Sequence, residues 1–285
     1  MKKAKFHYPL LVVAIAAAVQ AGRLEHESRR IDSEGAKKLH IELKFAAGEL
    51  SLEPEDMPQA ATLDMDYNPR RVSYEVDYEV SKEIGFLYIE SHHRRHTDID
   101  TDDNRLDLRL STRYPMSLEM EIGACDGQID LGGIPLEELD IELGAASGEV
   151  EFSQPNLRRL KELNIDAGAS SLDMYDIGNA NFEQFTFSGG VGSFDLDFRG
   201  EEYQGETRID IDVGLGSADI VLPRYIPIRV ETEGDNWLSS VDFHHDDLEE
   251  IDDGIYESPD FERAETRIIL TLDVGLGAVD LFWKR

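Results

Sequence analysis

The chain is poor in several residue types, and each shortage excludes something. It has one cysteine in 285 residues, Cys125, so no intramolecular disulfide can form. Basic residues are few: 28 lysines and arginines stand against 60 acids, for a formal charge of -32. Nucleic-acid binding leaves a positive footprint, so DNA and RNA are excluded as partners, and an anionic membrane surface is disfavoured. Long apolar runs are missing too. The longest, Leu10 to Val19, has ten residues, where a membrane-spanning helix needs ~20. No Gly-x-Ser-x-Gly, His-Glu-x-x-His, Walker or dinucleotide fingerprint occurs. Gly214-Leu215-Gly216 and Gly275-Leu276-Gly277 lack the following helix that a phosphate loop requires.

What the chain does have is repetition. Leu118 to Leu131 recurs as Leu139 to Phe152, and further copies centre on Ile165, Phe187 and Ile211. An early copy centres on Leu43 and a late one on Leu272. Within a copy, apolar residues lie two apart with polar ones between, the pattern of a strand with one buried face. Each copy reads as two short strands around a bend. Small residues recur in the bend, at Ala46, Cys125, Ala146, Gly168, Gly190, Gly214 and Gly275, and again two positions on. One such unit cannot bury its apolar face alone, whereas stacked units can. The expected fold is all-β: a right-handed parallel β-helix-like solenoid with coils of roughly 21–24 residues and an antiparallel N-terminal cap.

The cap is expected from residues 62–91, where Val72 to Val80 alternates over nine residues and Asn68-Pro69 marks a turn. It would cover strand edges that a terminal coil exposes. The expected division is a signal peptide over 1–21, a low-order linker over 22–37 and one domain over 38–285. Within that domain, 38–112 holds the first copy and the cap, 113–223 the regular repeats, and 224–285 an insertion and the last copy. Lys2, Lys3, Lys5, the ten-residue run and Val19-Gln20-Ala21 point to cleavage before Gly22 and export to the periplasm or cell surface.

Residues with chemical potential are weighed against structural roles. Cys125 is the only thiol, but it occupies a bend position filled elsewhere by alanine or glycine, so a structural role is expected. Asp130, Glu151, Asp173, Asp195 and Asp219 hold equivalent outward positions and would stack as an acidic ladder. That ladder serves solubility, with weak calcium binding as the functional reading, since calcium prefers converging oxygens to a row. His92, His93 and His96 form a weaker metal candidate, with Arg94 and Arg95 among them repelling a cation. No cofactor is expected.

Ile141 to Val150 and Leu272 to Leu281 resemble the toast-rack family, which includes adhesin-like domains and extracytoplasmic parts of bacterial cell-wall stress-response proteins. Tyr67-Asn68-Pro69 through Val76 is similar to its N-terminal segment, and Asp253 to Pro259 to the stretch before its last strands. The resemblance implies a β-solenoid and a non-enzymatic binding, adhesive or scaffolding role at the cell envelope, toward a protein or glycan ligand. It supplies no catalytic residues. A polysaccharide-cleaving β-helix enzyme is the alternative, on analogy of fold alone.

Overall fold

In the computed structural model, residues 24–93, 104–201, 203–233, 239–244 and 248–284 are described. The expected signal peptide and His96 lie outside them. The described residues hold no α-helix; 17 strands form one continuous hydrogen-bonded sheet.

The strands are β1 (Glu25–Asp32), β2 (Lys38–Glu55), β3 (Gln59–Tyr67), β4 (Val72–Ser81), β5 (Ile84–His93) and β6 (Asn104–Ser111). Then come β7 (Met116–Asp130), β8 (Leu136–Leu143), β9 (Ser147–Glu151), β10 (Leu160–Tyr175), β11 (Phe182–Asp197) and β12 (Glu206–Pro223). Last are β13 (Ile228–Glu233), β14 (Ser239–His244), β15 (Glu249–Asp252), β16 (Ile255–Glu257) and β17 (Arg267–Lys284).

The long strands bend in the middle, and their side-chain pattern shows how. In β11, Phe185 and Phe187 point inward before the bend and Phe194 and Leu196 after it. The inward parity switches from odd to even numbers across Gly190-Val191-Gly192. Every bent strand therefore contributes to two walls, one on each side of a common corner. The first wall runs β4, β5, β2, β7, β8, β10, β11, β12, β17, β13, β16, β15. The second runs β1, β3, β6, β2, β7, β9, β10, β11, β12, β17, β14. Pairing is parallel from β5 and β6 through to β13 and β14. It is antiparallel where β4 meets β5, β3 meets β6, β1 meets β3, and β16 meets β13 and β15. One apolar core extends from Ile31 to Leu281 between the walls.

The connections between coils close the third side. Asn156 is buried there, and its Nδ2 donates to the carbonyls of Leu136 (3.0 Å) and Ala180 (3.3 Å). Asn181 Nδ2 donates to the Asn156 carbonyl, and Asn179 Nδ2 to that of Phe152. Buried loop carbonyls need such partners, and asparagine supplies two donors to bridge consecutive coils. Phe182, Phe185 and Phe198 pack beside them, with the Phe185 and Phe198 rings edge-on at 5.0 Å.

Three expectations need correction. Residues 22–37 were expected to be a low-order linker, yet Glu25–Asp32 is a strand paired with β3 along its length. Its Glu-His-Glu-Ser-Arg-Arg run is that of an exposed edge strand, and charge protects such an edge from adding further strands. The end of the stack is also more than an insertion before a last copy. β13 and β14 stack outside β17, so the final copy is the second coil from that end.

The third correction is one of register. Leu143 lies opposite Ala167, not Ile165, and Val150 lies opposite Met174, not Leu172. Likewise Phe45, not Leu43, faces Ile122. The copies centred near 122 and 143 are thus shifted by two residues against the rest. A two-residue slip keeps every side chain on its own face, so the apolar pattern is blind to it.

Candidate functional site: the glycine corner and its acidic flanks

The corner is built around backbone contact. Gly123, Gly144, Gly168, Gly190, Gly214 and Gly275 follow one another up the stack. A Cβ on Gly190 would lie 2.5 Å from the Gly168 carbonyl oxygen, and one on Gly275 would lie 2.5 Å from that of Gly214. A second row is tighter still: a Cβ on Gly192 would meet the Ser170 oxygen at 1.8 Å, and one on Gly277 the Gly216 oxygen at 1.8 Å. At Gly216 the φ of 147° adds a conformation that side chains resist. Between the rows, Val191, Leu215 and Leu276 stack in register at the tip and remain about half exposed.

Acids line both sides of this tip. On the first wall, Glu121, Glu142, Asp166, Ser188, Asp212 and Asp273 pair in succession. On the second wall the row is Glu149, Asp173, Asp195, Asp219, Asp280 and Asp242. Neighbours in a parallel stack lie ~4.8 Å apart, so Asp173, Asp195, Asp219 and Asp280 each face a carboxylate above and below, while Ser188 interrupts the first-wall row between Asp166 and Asp212. Burial, and then Asp173, raise the Asp195 pKa above the usual carboxylate range. Burial followed by Asp195 and Asp280 does the same for Asp219, and burial with Asp273 for Asp212. His244 Nε2 lies 2.8 Å from Asp280 and gives the second row a partner at its end.

The first-wall acids form one side of a long open groove. Its floor is the backbone of Gly123, Gly144, Gly168 and Gly190, where missing side chains leave room. Lys44 closes one end, held by Glu121 and by Glu42 at 3.1 Å. Those hydrogen bonds raise its pKa well above the ordinary lysine value. A surface of this kind can take an extended ligand that carries positive charge or many hydrogen-bond donors. Cys125 is buried, and burial pushes its thiol up to about 12, far from a reactive thiolate at neutral pH.

The acids expected to form one ladder separate into two registers. Asp173, Asp195 and Asp219 stack together. Asp130 and Glu151 pair with each other but lie two residues out of line, opposite Tyr175. The Asp130 carboxylate is already occupied: Oδ1 accepts from the Gly132 (2.8 Å) and Ser153 (3.3 Å) amides, and Oδ2 from the Ser153 hydroxyl (2.7 Å). It closes a turn between coils. Burial, and then Asp130, raise the Glu151 pKa. The histidines separate as well. His92 and His93 are adjacent on β5 and point to opposite faces, so they cannot share an ion. His92 instead stands between Glu90 and Glu75.

The first-wall row escaped the sequence reading, although it had a signal. An acid stands two residues before the corner glycine at Glu121, Glu142, Asp166, Asp212 and Asp273.

Residues 20–161 match the family described as the N-terminal domain of toast_rack, DUF2154. That match, over just under half of the chain, supports a toast-rack family assignment. Among solved structures, it is similar to a proposed cell adhesion protein from Clostridium sporogenes ATCC 15579, at 19% identity and a TM-score of 0.49, covering 92% of this chain and 100% of that one. It is also similar to a proposed adhesin from Bacteroides fragilis NCTC 9343, at 12% identity and a TM-score of 0.39, covering 92% of this chain and 98% of that one. No curated protein matches the chain. Among the described residues, no helix is long and apolar enough to cross a membrane.

Proposed function

We propose that the protein is a non-enzymatic binding, adhesive or scaffolding module of a bacterial cell envelope, with the cell-wall stress response as the setting its family suggests. In this reading residues 1–21 are a cleaved signal peptide, and the mature chain works in the periplasm or at the cell surface. The remainder acts as a single domain, a right-handed solenoid of coils about 21–24 residues long. One observation carries the reading: two stacked rows of mostly acidic residues, one starting at Glu121 and one at Glu149, flank the corner of stacked glycines. Such a rigid, repetitive, strongly charged surface suits recognition of an extended envelope protein or glycan. Divalent cations such as calcium would bind weakly along Asp173, Asp195 and Asp219, as counter-ions rather than at a built site.

The test is binding of the mature chain to envelope fractions, beside a variant carrying Glu142→Gln, Asp166→Asn and Asp212→Asn. Retention that the triple variant loses, and that high salt weakens, supports the corner as the binding surface. The same preparation is incubated with polyuronides and β-linked glycans. Turnover abolished by a carboxylate substitution would overturn the non-enzymatic reading in favour of a polysaccharide-cleaving enzyme.

A further inference from the structure

At the N-terminal end of the first wall, β4 and β5 form an antiparallel hairpin. Its outward face brings Glu75 directly opposite Glu90. Two carboxylates at such a cross-strand pair repel each other. His92 lies two residues beyond Glu90 on the same face. Its Nδ1 is 3.2 Å from Glu90 Oε1, and its Nε2 is 3.8 Å from Glu75 Oε2. One ligand atom from each of the three residues can be chosen so that all lie within 4.8 Å of one another.

The surroundings fix this arrangement. The Tyr88 hydroxyl donates to Glu90 Oε2, which leaves Oε1 turned toward His92. Lys44, beside Glu90 on the neighbouring strand β2, is taken up by Glu42 and Glu121. The side chains of Glu75 and His92 are about half exposed, at 58% and 46%, and Glu90 is at 25%, so an ion can reach them.

We propose that Glu75, Glu90 and His92 form a divalent transition-metal site of the zinc class on the cap hairpin. One imidazole nitrogen and one oxygen from each glutamate supply three ligands. Zinc bonds to such atoms are ~2.0–2.2 Å long, so ligand atoms in a tetrahedral site lie closer together than the present spread. Rotation of the two exposed side chains closes that gap. Water completes the coordination, and the ion's charge cancels that of the two carboxylates. An imidazole in the set selects zinc, copper or nickel over calcium and magnesium, which take oxygen ligands. Tyr88 is a positioning residue that holds a ligating carboxylate, as outer-shell groups commonly do. The ion would tie the edge strand β4 to β5 and close the cap.

The experiment is a calorimetric titration of the metal-stripped full chain with Zn²⁺, in ~0.15 M sodium chloride with excess calcium to occupy the acidic rows. Parallel titrations use His92→Ala and Glu75→Gln, whose exposed side chains leave the core intact. The metal-free far-UV spectrum of each variant confirms that it folds like the parent. A single Zn²⁺ is expected per chain, with affinity falling roughly tenfold or more in both variants, and with the His92 ring resonances shifting on binding. Absence of stoichiometric uptake, or uptake unchanged in either variant, would overturn the site.

Discussion

From β7 to β12 the order of the chain is the order of the stack; at both ends it is not. In the middle each coil is followed in sequence by its spatial neighbour, and pairing is parallel throughout. At the N-terminal end the coil formed by β5 and β6 lies outside β2, and β4, β3 and β1 turn back on it. At the other end β17, last in sequence, slides between β12 and the coil formed by β13 and β14. The middle gains its stability from repetition: the same backbone contact at the corner and the same apolar layers inside. The ends must stop a stack that could otherwise continue. They do so with antiparallel strands, with the charged edge of β1, and with side-chain clusters that occur once.

The largest expected effect breaks the middle. Gly190→Val forces a branched side chain toward the Gly168 carbonyl, 2.5 Å from the position of its Cβ. It should cost about 2–4 kcal/mol in chemical denaturation, because the neighbouring coils cannot move apart independently. A loss near zero would mean that the corner rows do not hold the stack.

A smaller and more local effect is expected at the C-terminal end. Arg229 bonds Glu257 (2.6 Å) and Glu262 (3.1 Å) and lies over the Phe261 ring at 4.6 Å. Arg229→Ala should cost about 1–2 kcal/mol, since part of this network is exposed. Amide exchange should accelerate in β15 and β16 while β10 to β12 keep their protection. Equal acceleration in both would show that the end and the middle unfold as one unit.

Smaller again is Asp195→Asn. It removes one charge from a row that repels itself, so the denaturation midpoint should stay unchanged or rise slightly. A clear loss would show that Asp195 holds a partner the row needs.

How much of this was legible in the sequence follows from what period-two patterns can carry. Alternation placed Phe185, Phe187, Phe194 and Leu196 inside and Asp195 outside, and repetition announced the stack. It could not fix register, since a shift by two leaves every face unchanged; Asp130 and Glu151 therefore looked like members of a row from which they are displaced. Asp130 also closes a turn with Ser153, a contact between residues 23 apart that local reading cannot see. β1 was hidden for another reason. As an edge strand it buries only Ile31 among its eight residues, so it lacks the apolar alternation that marks a strand. The cluster of Glu75, Glu90 and His92 depends on which residues of β4 and β5 face each other, which sequence spacing leaves open.

Acidity separates the rows from the ion pairs. Asp195, Asp212 and Asp219 have folded pKa values raised above those of an unfolded chain. Their penalty is full at neutral pH, shrinks as pH falls through the raised values, and is gone below the unfolded value of 3.8. Glu137 and Glu206 behave oppositely. Their pKa values are lowered, by hydrogen bonds from Lys38 and from Arg267 respectively, so their stabilisation is lost as pH falls from 4.5 through their folded values. Thermal melts should therefore show stability rising modestly on mild acidification from neutral pH and turning downward in the acid range where Glu137 and Glu206 protonate. A monotonic fall from neutral pH would assign the larger share to the pairs.

The central claim is that stacked like charges flank the corner in the folded protein. Each neighbouring pair in water repels by roughly 1 kcal/mol or less. Salt screens it, with a Debye length of ~10 Å at 0.1 M and ~3 Å at 1 M. The direct measurement is the melting temperature of the full chain in roughly 0.05 M and roughly 1 M sodium chloride, repeated with millimolar calcium. We expect a rise with sodium chloride, because unfolding releases repulsion that salt would otherwise relieve, and a further rise with calcium where the ion binds along the row. A rise with sodium alone would retain the stacked charges and remove calcium binding. A melting temperature that is flat or falls with salt would contradict the account.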